Sequence, residues 1–273
     1  MPLPRYVMLH KTVGQTPLVC AELWRANKPE LIRVPLAYAG RLDPMASGKL
    51  LVLIGDECKV QESYHNLDKQ YEFSVLFGIC SDTADVLGRL TIADTVPTVT
   101  MGQLQKISKE LIGKIELSYP HFSSKTVNGK PLHVWTLEGR LDEITIPTKR
   151  STIFTLKPTK LETKTRAKIY AEVSAKIETI PEVTDASKAL GNDFRRVDVR
   201  DDWKQFLETG NQNDMFSIAT FTCIASSGTY MRTLAEVIAK QLNTTALAYH
   251  INRTHIGHYQ SVLAGFGFWK KQF

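Results

Sequence analysis

Apolar and polar positions along this chain already separate strands from helices. Leu50 to Ile54 is an unbroken apolar run, as expected of a strand buried on both faces. Tyr71, Phe73, Val75 and Phe77 alternate with Glu72 and Ser74, which predicts a half-buried strand, expected to pair beside the Leu50 strand. Tyr6 to Leu9 predicts a shorter strand that leads through Lys11-Thr-Val-Gly14-Gln-Thr-Pro17 into helical spacing from Leu18 to Arg25. Met101 to Ile112 places Leu104, Ile107 and Leu111 on one side of a helix that Gly113 stops. Phe216 to Ala225 alternates again, turns at Ser226-Ser-Gly228 and enters a helix with Thr229 as its N-cap. From about Ile144 to Gly210 the chain is polar and charged. Within that stretch Tyr170-Ala-Glu-Val-Ser-Ala-Lys-Ile reads as strand and Gly191-Asn-Asp-Phe as turn, so β extensions or an insertion are expected at about 144–210.

One carboxylate stands out against this pattern. Asp43 precedes Pro44 in Tyr38-Ala-Gly-Arg-Leu-Asp43-Pro-Met-Ala-Ser-Gly48, immediately before the Leu50 strand. A residue before proline is biased away from helix, and Gly40 and Gly48 permit a tight turn on either side. The turn presents a group from a rigid strand; an Asx turn, in which Asp43 only bonds its own backbone, is the structural alternative.

Composition narrows the class. The 273 residues are 43% hydrophobic and 23% charged, ordinary for a globular protein, and no run is apolar for long enough to span a bilayer. No basic segment leads into an apolar one at the N-terminus, so the expected location is the cytoplasm and no membrane is expected as a partner. The four cysteines never occur as Cys-x-x-Cys, and His255 and His258 lack a completing acid or thiol, so no metal is expected. Gly-x-Gly-x-x-Gly and Gly-x-x-x-x-Gly-Lys-Ser/Thr are both absent, which argues against a nucleotide cofactor. A net charge of +6 favours an anionic partner without naming it.

The motif Gly-Arg-Leu-Asp-Pro resembles that of the pseudouridine synthases, specifically the TruB type. Further blocks in family order carry the same resemblance: Lys69-Gln-Tyr71-Glu-Phe-Ser-Val-Leu-Phe-Gly78, Asp82-Thr-Ala-Asp85-Val-Leu-Gly88 and Ser227-Gly-Thr-Tyr230-Met-Arg232-Thr-Leu-Ala235. Weaker echoes lie at Lys11-Thr-Val-Gly14, Tyr119 to Gly129 and Asn252-Arg253-Thr254. Two positions depart from the pattern. Tyr38 stands where TruB proteins usually have a histidine, and Gly-Arg-Leu-Asp replaces Gly-Thr-Leu-Asp, as in the RluA and RsuA branches.

The resemblance implies an α/β fold of the α+β type, a largely antiparallel, bending sheet flanked by helices with a central RNA-binding cleft. It implies one catalytic domain over 1–273; bacterial TruB proteins commonly carry a further RNA-binding PUA domain after the last of these blocks, and the few residues that follow it here depart from that pattern, so no separate PUA domain is expected. The implied activity is isomerisation of uridine to pseudouridine in tRNA, at the T-arm uridine conventionally numbered 55, by a monomer that needs no cofactor. Asp43 would be the essential carboxylate, acting on ribose C1′ or as the base in an elimination to a glycal. Burial alone disfavours a charged carboxylate, and Arg232 matches the family arginine that pairs with it. Tyr71 would stack on the uracil or remove the C5 proton. Tyr230 would pack near the base or help to orient Asp43, and Asp85 would help to hold the flipped nucleotide; Tyr38 would stack on displaced bases, Arg41 would add a phosphate contact, and Lys11 and Lys125 would contact RNA from loops. Without the motif match, a surface arginine, a packing tyrosine, a turn aspartate and solvated lysines are the ordinary roles of these residue types. The alternatives are a synthase for another tRNA or ribosomal RNA site, and a non-catalytic RNA-binding or RNA-folding protein on the same scaffold.

Overall fold

The computed structural model describes residues 3–93, 97–181, 196–263 and 265–270. Its elements in chain order are β1 (Tyr6–Lys11), α1 (Pro17–Ala26), β2 (Leu36–Ala39), β3 (Ala46–Ile54), β4 (Asp68–Phe77), β5 (Ile79–Ser81), β6 (Leu90–Ile92), α2 (Met101–Leu111), β7 (Gly113–Ser118), β8 (Thr126–Val127), β9 (Lys130–Pro131), α3 (Leu132–Leu137), β10 (Thr148–Thr165), α4 (Arg166–Glu178), α5 (Arg196–Glu208), β11 (Met215–Ala225), α6 (Met231–Gln241), β12 (Ala246–Gly257), β13 (Tyr259–Leu263) and β14 (Phe266–Trp269). Eight strands form one sheet in the order β1-β3-β12-β4-β11-β10-β7, with β2 paired along the second half of β3. Among the described residues every pairing in this sheet is antiparallel except β3 with β12.

The unbroken apolar run of β3 follows from what covers its two faces. Leu50 and Val52 pack with Cys20 and Ala21 of α1, whereas Leu51 and Leu53 pack with Ala39, Tyr64, Leu67 and Ile256. At the middle of the sheet β4 points Tyr71, Phe73, Val75 and Phe77 to one face by its two-residue period, and the Phe73 ring stacks on Phe221 of β11 at 5.3 Å. Phe73 is fully buried, and each side chain of this kind contributes about 1.5–3 kcal/mol by leaving water.

The helices close the main core. Thr100 and Gln103 form a capping box that starts α2, and Leu104, Ile107 and Leu111 face inward. Trp203 and Phe206 of α5 join the same apolar cluster, and the Trp203 indole donates to the Val86 carbonyl at 2.9 Å. No helix is long and apolar enough to cross a membrane among the described residues.

Three expectations are corrected. The Tyr71 strand does not pair with the Leu50 strand, because β12 lies between them and pairs with both. The segment at Tyr170 is helix α4, not strand: Ile169, Val173 and Ile177 recur every four residues and bury one face, and the Thr165 hydroxyl accepts the Lys168 N–H at its start. Thr229 does not cap α6; its hydroxyl donates to the Ser226 carbonyl at 2.9 Å and closes the preceding turn, while Tyr230 holds the cap position. The extended part of the 144–210 stretch is β10, and the expected turn at Gly191 lies outside the described residues.

Candidate active site

The turn that carries Asp43 joins β2 to β3 and is fixed from several sides. The Ala46 N–H donates to the Asp43 carbonyl at 3.0 Å, and the Gly14 N–H donates to the Pro44 carbonyl at 2.9 Å. Leu42 and Met45 are buried on either side of the aspartate and anchor the turn to the core. Gly48 has φ +110°, and a Cβ there would lie 2.3 Å from the Arg253 carbonyl oxygen and 2.5 Å from its nitrogen. Only glycine allows β12 to come this close, and this contact is where β3 and β12 run parallel.

Arg232 enters from the first turn of α6. Its Nε lies 2.8 Å from Asp43 Oδ2 and 3.8 Å from Asp85 Oδ2. Nη1 donates to the Thr83 carbonyl at 2.8 Å and Nη2 to the Phe122 carbonyl at 3.4 Å. The Arg232 side chain is 4% exposed and that of Asp43 38%, so the cation is buried and the carboxylate reaches solvent. Burial works against the charge on Arg232, but Asp43 and Asp85 outweigh it and raise its pKa. Burial raises the pKa of Asp85, which Arg232 opposes.

Asp43 and Arg232 open into a cleft of about 540 Å3 lined also by Arg41, Lys69, Tyr71, Ser123, His133, Tyr230 and Arg253. This volume suits one nucleotide-sized ligand. Tyr71 is half-buried on β4, and burial raises its phenol pKa against the opposing effect of Arg253. The Tyr230 ring meets Tyr119 edge-on at 5.7 Å, and the Lys125 ammonium lies 5.5 Å from the Tyr119 ring centre. Arg41 is exposed at the cleft wall.

The structure thus brings Asp43, Tyr71, Arg232, Tyr230 and Arg41 to one cleft, with Lys125 outside its lining. Three expected contact residues lie elsewhere. Asp85 is behind Arg232, where its Oδ1 accepts the Thr83 hydroxyl at 2.7 Å and the Leu87 N–H at 2.9 Å. Tyr38 packs against the α1-side cluster with Leu50 and Val52. Lys11 is not in a loop: it ends β1, fully buried, and its ammonium donates to the Thr12 and Gln15 carbonyls at 2.9 and 2.8 Å.

Lys69, Arg253 and His133 line the cleft without having been assigned a role from sequence. Lys69 was findable, since the two-residue period puts it on the same face as Tyr71. Arg253 donates to the carbonyls of Lys49, Arg41 and Gly40 at 2.8, 3.2 and 3.3 Å, a bracing role no spacing announces. His133 Nδ1 is 3.1 Å from the Ser123 carbonyl, which accepts only, so Nδ1 carries the proton. Among the described residues no group of three or more His, Cys, Asp or Glu is placed to hold a metal ion.

Comparison with known proteins places this chain in a family. A tRNA pseudouridine synthase B of Caldicellulosiruptor saccharolyticus is 28% identical over 251 residues, which covers 92% of this chain and 67% of the relative. One of Caldanaerobacter subterraneus subsp. tengcongensis is 33% identical over 121 residues, 44% of this chain and 42% of the relative. The aligned part of this chain therefore spans about two thirds of the first relative's length and less than half of the second's. Among solved structures, the crystal structure of a Cbf5-Nop10-Gar1 complex matches the fold with TM-score 0.53 at 13% identity, over 92% of this chain and 48% of that one. The description "TruB family pseudouridylate synthase (N terminal domain)" matches residues 32–179, which include Asp43, Tyr71 and Asp85. With more than half of its length matched in this way, the chain belongs to the TruB family of pseudouridylate synthases.

Proposed function

We propose that this chain isomerises uridine to pseudouridine in tRNA, at the T-arm uridine numbered 55, with Asp43 as the essential carboxylate. The observation that carries this reading is the Asp43–Arg232 pair: a carboxylate open to a nucleotide-sized cleft, 2.8 Å from a buried guanidinium. The names of the relatives support tRNA as the substrate.

The reaction breaks the N1–C1′ bond, turns the uracil and joins C5 to C1′. The C5 proton leaves, N1 ends protonated, and no electrons are gained or lost. Asp43 serves either by attack on C1′ or as the base that opens the route through a glycal. Arg232 places a fixed positive charge beside it in both routes. Tyr71 stacks on the base extracted from the RNA, and its raised pKa favours this neutral stacking role over direct proton removal. Arg41 and Lys125 contact the RNA backbone from the rim, where exposed cations position phosphates without reading sequence.

The test is tritium release from a tRNA transcript labelled at uridine C5, with wild type and Asp43→Asn side by side. Release by wild type and none by Asp43→Asn, with RNA affinity within a few fold, is expected. Turnover surviving in Asp43→Asn would overturn the role of Asp43, and no release by either protein would overturn the tRNA reading.

A further inference from the structure

Lys69 and Arg253 lie on neighbouring strands at the floor of the cleft, with only 6% and 1% of their surface exposed. A methyl group added at Gly40 would meet Arg253 Nη1 at 3.6 Å and Lys69 Cε at 3.7 Å. The two side chains therefore flank one point beneath the segment that leads into Asp43. Their hydrogen-bond partners among the described residues are carbonyls and the hydroxyls of Ser227 and Tyr71, with no carboxylate in ion-pair contact. Asp68, the nearest acid in sequence, points to the other face of β4 and accepts the Tyr259 N–H at 2.9 Å.

Two like charges buried side by side with no anion in contact are costly, and carbonyls and hydroxyls do not require them. A neutral donor such as a glutamine amide would brace the Leu67 or Gly40 carbonyl without that cost. Lys69 also keeps a donor in reserve. It donates to the Leu67 carbonyl and, at 3.2 Å, to Ser227 Oγ, whose own proton goes to the His65 carbonyl. Two of its three ammonium hydrogens are thereby used, which leaves one for a ligand in the cleft. Burial, with Arg253 adding to it and Asp68 opposing it, lowers the Lys69 pKa to about 8.

We propose that Lys69 and Arg253 form a phosphate subsite that holds a backbone phosphodiester next to the nucleotide presented to Asp43. This rests on the RNA-modifying reading above and adds to it a fixed anchor for the backbone on the floor of the cleft. The anchor lies apart from the exposed cations of the rim. A phosphate bound there would neutralise the pair and tie the extracted nucleotide to the strand that also carries Tyr71.

The experiment measures binding of a synthetic T-arm stem-loop RNA to Asp43→Asn protein. The RNA carries a single uncharged methylphosphonate at the linkage 5′ or 3′ to the target uridine. At one of the two linkages, loss of the charge is expected to weaken binding about tenfold. In Asp43→Asn/Lys69→Met the same change is expected to cost less than twofold, and Lys69→Arg should restore the sensitivity. Equal losses with and without Lys69, or no loss at either linkage in the Asp43→Asn protein, would overturn the subsite; the latter needs no Lys69 variant to fold. Tritium release by wild type from the unmodified stem-loop separates the two proposals. Release without a methylphosphonate effect defeats the subsite alone, and no release defeats the functional reading.

Discussion

The Asp85 carboxylate lies 3.8 Å from Arg232 Nε, outside the cleft lining, while Asp43 meets the same nitrogen at 2.8 Å. Arg232 is thus held between a buried acid and a presented one. At this separation the attraction to Asp85 is on the order of 4 kcal/mol in a partly screened interior, reduced by the cost of burying Asp85 itself. Asp85→Asn keeps the acceptor for Thr83 and Leu87 and removes only the charge. It is expected to lower stability by about 2 kcal/mol and turnover by tenfold or more, with RNA affinity nearly unchanged. Urea unfolding and tritium release check this; a variant as stable and active as wild type would deny Asp85 its positioning role.

Gly48 and Gly129 offer a controlled pair. Both have positive φ, +110° and +77°, but a Cβ at Gly129 meets nothing within 4 Å whereas one at Gly48 strikes the Arg253 backbone. Gly129→Ala is expected to cost about 1–2 kcal/mol from the left-handed backbone alone. Gly48→Ala should cost at least about twice that, because backbone on both sides must move. Equal melting temperatures for the two variants would show that the β3–β12 approach is looser than described.

Lys11 links stability to pH. Burial lowers its folded pKa from 10.5 to about 8, so between these values the unfolded chain holds more protons than the folded one. Stability from this group therefore rises with pH across that window, because the folded protein escapes the cost of a buried charge. Lys11→Met has no proton to lose there. Its stability relative to wild type should fall by roughly 2–3 kcal/mol from pH 7 to pH 10.5, read from urea midpoints. A constant difference would mean that Lys11 titrates as if exposed.

Tyr71 separates stacking from packing. Tyr71→Phe keeps the ring and should bind the T-arm stem-loop within twofold of wild type. Tyr71→Leu should bind about tenfold more weakly, in line with the 1–3 kcal/mol that one aromatic–base stack contributes. Similar affinities for the Phe and Leu variants would remove stacking as the role of this side chain.

Much of this architecture was legible from residue order. The apolar run of β3 and the alternation of β4 and β11 follow from two-sided and one-sided burial, and the Asp-Pro pair between glycines marked the turn before β3. What stayed hidden depends on partners far along the chain. Nothing local distinguishes a β4 beside β3 from a β4 separated from it by β12. Tyr170 to Ile177 mixes β-branched residues with Glu and Lys, and only the burial of Ile169, Val173 and Ile177 selects a helix. Asp85 matched its motif, yet its place behind Arg232 depends on where α6 docks. The Lys11 motif resembles an RNA-contacting loop, and only the folded chain shows the Thr12 and Gln15 carbonyls holding its ammonium inside.

The parallel pairing of β3 with β12 also bears on synthesis. The strand that follows Asp43 leaves the ribosome well before its neighbour on one edge, since Ser47 and Asn252 stand 205 residues apart, so this pairing closes only after that whole stretch has been made. Until Ala46–Gly48 receive Ile251–Arg253, that edge of β3 is an unpaired strand beside an apolar run, the kind of surface that invites association between nascent chains. Arg232 and Arg253 reach the cleft only with these same late segments. A ribosome-bound chain that stops short of β12 can therefore pair β2 with β3 yet lack the strand that closes the cleft around Asp43.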